Sequence, residues 1–159
     1  GNVAIDAARV ALRCGSSDVT MVCLEPREKM PASAEEIAEA EEEGTAIRCG
    51  YGPKEFLTKD GHVCGVVLKR CTGLYDAEGR FAPTFDDNTT EEVPCDMVLY
   101  CIGQKVDWKG LLTGTAVELN SNGTAKADPV TYQTAEPDIF VGGDVYTGPK
   151  FAIDAIAAG

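Results

Sequence analysis

Basic residues are scarce in this 159-residue sequence and histidine is scarcer still, and each shortage excludes a class of function. Fourteen Lys and Arg stand against 26 Asp and Glu, giving a formal net charge of −12 and a pI of about 4.4. Binding to nucleic acid rests mainly on neutralising phosphates with cations, so no nucleic-acid partner is expected. The single histidine, His62, follows Asp60-Gly61 and reads as a solvated turn residue rather than a catalytic one. No apolar run approaches the roughly 18 residues of a membrane span, and no basic-then-apolar leader opens the chain. The expectation is a soluble, cytoplasmic chain with no membrane partner.

Cysteine pairs are lacking as well. The seven cysteines (14, 23, 49, 64, 71, 95 and 101) are odd in number and contain no C-x-x-C spacing, which argues against a zinc site or a redox-active disulfide. Cys23 and Cys101 fall inside apolar runs, where a thiol behaves as a small hydrophobe. The cysteines are therefore read as reduced core residues, and no metal ligand is assigned.

What the sequence does have is an alternation of helical and extended patterns. Ile5, Ala8 and Leu12 share a helical face, and Gly15 stops that helix. Residues 19–24 form a continuous β-favouring run, as a strand buried on both faces would. Ser33 with Glu36 three residues later predicts a capping box and a second helix ending at Gly44. Its run of glutamates reads as a solvated face. Residues 46–49 predict a second short strand.

Beyond that point the pattern turns antiparallel. Residues 56–58, a turn at Lys59-Asp60-Gly61 and residues 62–71 predict a hairpin. Residues 73–90 read as a loop or a hairpin extension, and residues 96–102 as a buried strand ending at Gly103. A further turn is predicted at Ser121-Asn122-Gly123, a short strand over 138–141, and a helix from Pro149 onwards. The fold class expected is α/β: a Rossmann-like nucleotide-binding domain with an inserted antiparallel β-meander.

The chemistry-bearing feature is at the start. A dinucleotide-binding turn needs glycines so that backbone can approach a pyrophosphate at a helix N-terminus, where unpaired N–H groups and the helix dipole favour negative charge. Gly1-Asn2-Val3-Ala4 matches the second half of the G-x-G-x-x-A spacing; the first glycine and the strand before it are absent. Glu25 closes the next predicted strand, where the fingerprint places an acid that binds the adenine ribose hydroxyls. Such an acid repels a 2′-phosphate and points to NADH. Arg27, two residues on, leaves room for NADPH.

Gly1-Asn2-Val3-Ala4-Ile5-Asp6-Ala7-Ala8-Arg9 resembles the helix-opening motif of the FAD-dependent pyridine nucleotide-disulfide oxidoreductases of the glutamate synthase small-subunit type. Met30-Pro31-Ala32 followed by Glu35-Glu36 is similar to that family's second-helix opening, and residues 96–103 with Gln104 to its strand leaving the nucleotide domain. Most specific is Asp138-Ile139-Phe140-Val141-Gly142-Gly143-Asp144, continuing through Gly148-Pro149-Lys150 to Gly159, which resembles the segment that returns to the FAD domain. One departure stands out: family members using NADPH tend to carry paired arginines where this chain has Leu24-Glu25.

The resemblance implies two parts, a nucleotide-binding domain over 1–112 with its β-meander at about 53–95, and a return to the FAD-binding domain over 113–159. It implies truncation at both ends, with the first strand missing. Gly1, Asn2, Val3, Ala4, Glu25 and Arg27 would serve the NAD(P)(H) site, and Gly103 is a further cofactor-binding candidate. Asp144 would bind the ribityl chain of FAD with Gly143 allowing close approach, and the amides near Lys150, Phe151 and Ala152 would face the flavin. The parent would pass hydride from NADH, or second to it NADPH, to FAD, with no side chain acting as nucleophile or general acid–base. Its partners would be the rest of the FAD domain and an iron–sulfur domain or subunit, whose ligands are not in this sequence. The isolated segment would self-associate and lack turnover. Two other readings stay open: the nucleotide module of an old-yellow-enzyme-like reductase, and a non-catalytic binding domain.

Overall fold

The helical face read from Ile5, Ala8 and Leu12 forms α1 (Asn2–Arg13) in the computed structural model, which describes all of residues 1–159. Its end is a Schellman motif: the Ser16 N–H reaches Ala11 O at 3.1 Å and the Gly15 N–H reaches Leu12 O at 2.9 Å. α2 (Ala34–Glu42) ends in the same way, with Thr45 N–H on Ala40 O and Gly44 N–H on Glu41 O. Between them lies β1 (Thr20–Cys23), and after α2 comes β2 (Ala46–Cys49), paired in parallel with Met21 opposite Ile47 and Cys23 opposite Cys49. The β-α-β crossover expected from the alternation is thus present. Ile5 and Ala40 are fully buried and, with Met21 and Ile37, form its core. Only Met21 of β1 is buried, so this strand is less enclosed than its apolar run predicts.

The capping box at α2 is half formed. Ser33 Oγ accepts the Glu36 N–H at 3.2 Å as predicted. The reciprocal bond is missing because Asn2 Oδ1 takes the Ser33 N–H at 2.9 Å, and Glu36 Oε2 is left buried without a partner. The two helices are tied at their other ends by charge: Arg9 and Arg13 both grip Glu43, at 2.7 and 2.5 Å, and Arg9 also reaches Glu39. The hydrogen bonds from Arg13 and then Arg9 hold the Glu43 carboxyl down at about 2. Its contribution is therefore full above the ordinary carboxylate range, near ~4.3, and lost as pH falls toward about 2. Glu43→Gln should lower the melting temperature at pH 7, and the difference from wild type should close between about pH 4.5 and 2. A difference that persists unchanged through this window would remove ion pairing as its cause.

The antiparallel part is a meander in the order β3-β4-β5: β3 (Tyr51–Lys59), β4 (His62–Tyr75) and β5 (Phe81–Pro94). Asp60 and Gly61, both at positive φ (53° and 80°), make the two-residue turn between Lys59 and His62, and His62 is exposed as expected. The segment 73–90 is a hairpin extension, turned at Asp76, whose carboxylate accepts the Glu78 and Arg80 amides. Leu68, 2% exposed, anchors the buried face.

The strand predicted over 96–102 does not form. A strand exists only as one member of a ladder, and these residues pair with no other segment. Met97 and Ile102 are 68% and 87% exposed, so the apolar run that signalled burial is open to solvent. The thiols depart from expectation too. All seven are free, as read, yet none is fully buried, and Cys14 and Cys64 are exposed.

The chain divides into two compact units, Gly1–Ile102 and Gly103–Gly159. In the second, a turn at the predicted position closes with Gly123 N–H on Asn120 O, and Leu119 bridges Ala125. The predicted strand over 138–141 is a single bridge between Gln133 and Phe140. Two short helices follow, α3 (Asp144–Thr147) and α4 (Ala152–Ala158). No helix is long and apolar enough to cross a membrane.

Candidate functional site

Helix α1 opens without a side-chain cap. Gly1 is its N-cap, and the amides of Ala4 and Ile5 turn back on the Gly1 carbonyl at 3.0 and 3.4 Å. The amides of Asn2 and Val3 precede the first helical bond and take no acceptor from the chain. Within residues 1–159 nothing lies within 4 Å of where a Gly1 side chain would project. Such a helix end fits a pyrophosphate. Ala4 packs against the core cluster, which is the close-packing role its small size permits. Asn2 is different: its side chain holds the Ser33 amide, so what it can offer a ligand is backbone.

Since α1 passes into β1 through one short turn, helix and strand run antiparallel, and the helix opens at the edge where β1 ends. The Asn2–Ser33 bond agrees, because Ser33 caps the helix that follows β1. At this carboxyl edge, where open α/β sheets bind ligands, lies a cleft of about 590 Å³. Leu24 and Pro26 line it after β1, Cys49 and Gly50 after β2, and Arg70 and Tyr75 from β4. Arg27, Lys29 and Arg70 bring three cations to it, and no carboxylate lines it.

Glu25, half-buried, is not part of this lining; its carbonyl accepts the Gly50 N–H at 3.2 Å. Arg27 is within the cleft but shares its charge with Glu41 at 2.5 Å. Arg70 makes no ion pair. Its guanidinium lies 5.1 Å from the Tyr51 ring centre and flanks Gly50. Neither Lys29 nor Arg70 was signalled by sequence. Lys29 looks like any solvated lysine, and Arg70 lies in the meander, where only tertiary structure brings it to the nucleotide edge.

Below the cleft the thiols of Cys23 and Cys49 touch at 3.7 Å. Burial, and then the hydrogen bond to Cys49, push Cys23 up to about 12, so it stays protonated and is no nucleophile at neutral pH. No group of His, Cys, Asp and Glu is placed to hold a metal ion.

The residues assigned to flavin sit in the second unit. Gly103, a further cofactor-binding candidate, opens this unit and is exposed at φ +92°. Gly143 is buried at the start of α3, and a side chain there would press on Ala155 of α4 at 3.0 Å. Its smallness thus serves helix packing, a role the sequence did not reveal. Asp144 is exposed; one carboxylate oxygen accepts the Lys150 N–H at 3.3 Å and the other makes no bond. Asp154 takes the Phe151 N–H at 3.1 Å. Of the three amides assigned to the flavin edge, only that of Ala152 is unengaged by a side chain. An acceptor-bearing Asp144 with a free oxygen fits a ribityl hydroxyl, whereas the Lys150 and Phe151 amides are already satisfied.

Comparison with known proteins agrees with this architecture. Residues 1–159 match the pyridine nucleotide-disulphide oxidoreductase family. The chain is 37% identical over its full length to the beta subunit of an NADP(+)-dependent formate dehydrogenase from Moorella thermoacetica, of which it covers 22%. It is 32% identical to the small chain of glutamate synthase [NADPH] from Escherichia coli K12, covering 35% of it. The crystal structure of T. acidophilum thioredoxin reductase superposes with a TM-score of 0.73 over 95% of this chain and 43% of that one, at 18% identity, a likeness of fold. The chain therefore spans well under half the length of these relatives, and it belongs to the pyridine nucleotide-disulphide oxidoreductase family.

Proposed function

We propose that these residues form the NAD(P)H-binding part, and one wall of the FAD site, of a flavin-dependent oxidoreductase of the glutamate synthase small-subunit type. The observation that carries this reading is the uncapped start of α1 at the same sheet edge as a cation-lined cleft. The amides of Asn2 and Val3 hold the pyrophosphate, the cleft takes the adenosine end, and Asp144 anchors the ribityl chain. FAD, when bound, supplies the two-electron acceptor for the nicotinamide hydride. The chain binds and orients; none of its side chains moves a proton.

For the donor, NADPH is the first reading, because three cations and no carboxylate line the cleft, and relatives are named for NADP(+) and NADPH. NADH is the second, favoured by Glu25 at the end of β1 as the sequence suggested. The wider reading includes a cytoplasmic setting, with the rest of the FAD domain and an iron–sulfur domain or subunit as partners. The 159 residues alone would self-associate and lack turnover, since α4 leaves Ile153 and Ile156 bare to solvent.

The test is anaerobic reduction of the flavin in the whole protein, followed by its absorbance, with NADPH and NADH in parallel. Bleaching at least about tenfold faster with NADPH is expected, a preference worth one strong charge-assisted contact. Faster bleaching with NADH returns the donor to the second reading. Flavin that neither nucleotide reduces would overturn the function.

A further inference from the structure

Three cations meeting at one cleft is an unlikely gathering in a chain with 14 basic and 26 acidic residues, and no acid lines the cleft to offset them. They are not equivalent. Arg27 is half neutralised by Glu41, and Lys29 is an exposed ammonium on a flexible stem. Arg70 is exposed, lacks an ion pair, and is nevertheless positioned. The Tyr51 ring supports its guanidinium from one side, and Gly50 lies against it, with Cζ, Nη1 and Nη2 between 3.3 and 3.5 Å from where a Cβ on Gly50 would stand. Asp86, opposite Arg70 in the β4–β5 register, turns its carboxylate to the Asn88 amide and the Thr89 hydroxyl instead.

Gly50 is also the point where three segments join. Its N–H reaches Glu25 O after β1, and its O accepts the Cys71 N–H from β4 at 2.9 Å. The meander is thereby stitched to the carboxyl edge of the parallel pair, with Arg70 beside the stitch. An uncompensated guanidinium fixed by stacking offers a planar fork of donors that suits a phosphate monoester dianion.

We propose that Arg70 reads the phosphate on the adenosine ribose, so that the β-meander, and not the nucleotide fold alone, sets the preference for NADPH over NADH. This rests on the reading of the cleft as the adenosine site.

The test is calorimetric titration of the whole protein with adenosine 2′,5′-bisphosphate, 5′-AMP and inorganic phosphate, in wild type, Arg70→Gln and Arg70→Lys. Wild type should bind the bisphosphate roughly 10- to 100-fold more tightly than 5′-AMP, the range of a charge-assisted pair. Arg70→Gln should bring that ratio close to one, chiefly through lost affinity for the bisphosphate, and a thermal melt matching wild type shows that the variant is folded. Arg70→Lys, keeping the charge but not the fork, should fall between them. In parallel, kcat/KM for NADPH should drop through KM in Arg70→Gln, and by about tenfold or more beyond any change for NADH. An unchanged ratio in Arg70→Gln overturns the assignment while leaving the adenosine site standing. Absence of binding by both nucleotides overturns the adenosine site itself, and Arg70-dependent binding of phosphate but of neither nucleotide overturns the assignment in favour of a free-anion site.

Discussion

Gly1→Asp should lower the rate of flavin reduction by either nucleotide about 100-fold or more, at subsaturating donor, while leaving the protein as stable as before or slightly more so. The two halves of this expectation come from the same helix end. An aspartate at an N-cap accepts a hydrogen bond from the first-turn amides and complements the dipole, worth a few tenths of a kcal/mol over glycine. No other atom of residues 1–159 lies within 4 Å of the Gly1 side-chain direction. The same carboxylate competes for the Val3 amide and sets a negative charge against the pyrophosphate. At ~4 Å and an effective dielectric near 20 that repulsion is about 4 kcal/mol per pair of unit charges, which accounts for the predicted loss. Gly1→Asn separates the parts, because it caps without charge and should retain much more activity. Nucleotide rates untouched by Gly1→Asp would place the pyrophosphate elsewhere.

Local signals were legible and non-local ones were not. The stops at Gly15 and Gly44 follow from backbone geometry that a glycine permits within one turn, and both close as Schellman motifs. The Asp60-Gly61 turn was equally local. The capping box at Ser33 was half right because a residue 31 positions away, Asn2, competes for one of its donors. The apolar run over 96–102 carries the composition of a buried strand, but composition does not supply a neighbour. The start of α1 could be read from the sequence. Arg70 could not, since its place in the cleft depends on the register of β3 against β4 and on the tie at Gly50.

The second large effect is expected at Gly143, where the resemblance implies a glycine that lets flavin approach and the structure shows one on which α4 packs. Its backbone, at φ +61° and ψ −147°, lies in a region that side chains avoid at a cost of about 1–3 kcal/mol. A methyl there would also meet Ala155 Cβ at 3.0 Å, and one on Gly142 would meet Ala158 Cβ at 3.1 Å, so α4 rests directly on this glycine pair. The start of α4 is linked to the same place through Asp144, which holds the Lys150 amide. Gly143→Ala should therefore shift α4 and the carboxylate together, lowering the melting temperature and reducing bound flavin several-fold by absorbance. Gly148→Ala is the control, with φ +79° but open space around the added methyl. It carries backbone strain without the clash. If the two variants lose flavin equally, strain alone explains the effect and the packing of α4 on Gly143 has no part in holding the cofactor; a larger loss in Gly143→Ala assigns that part to the helix contact.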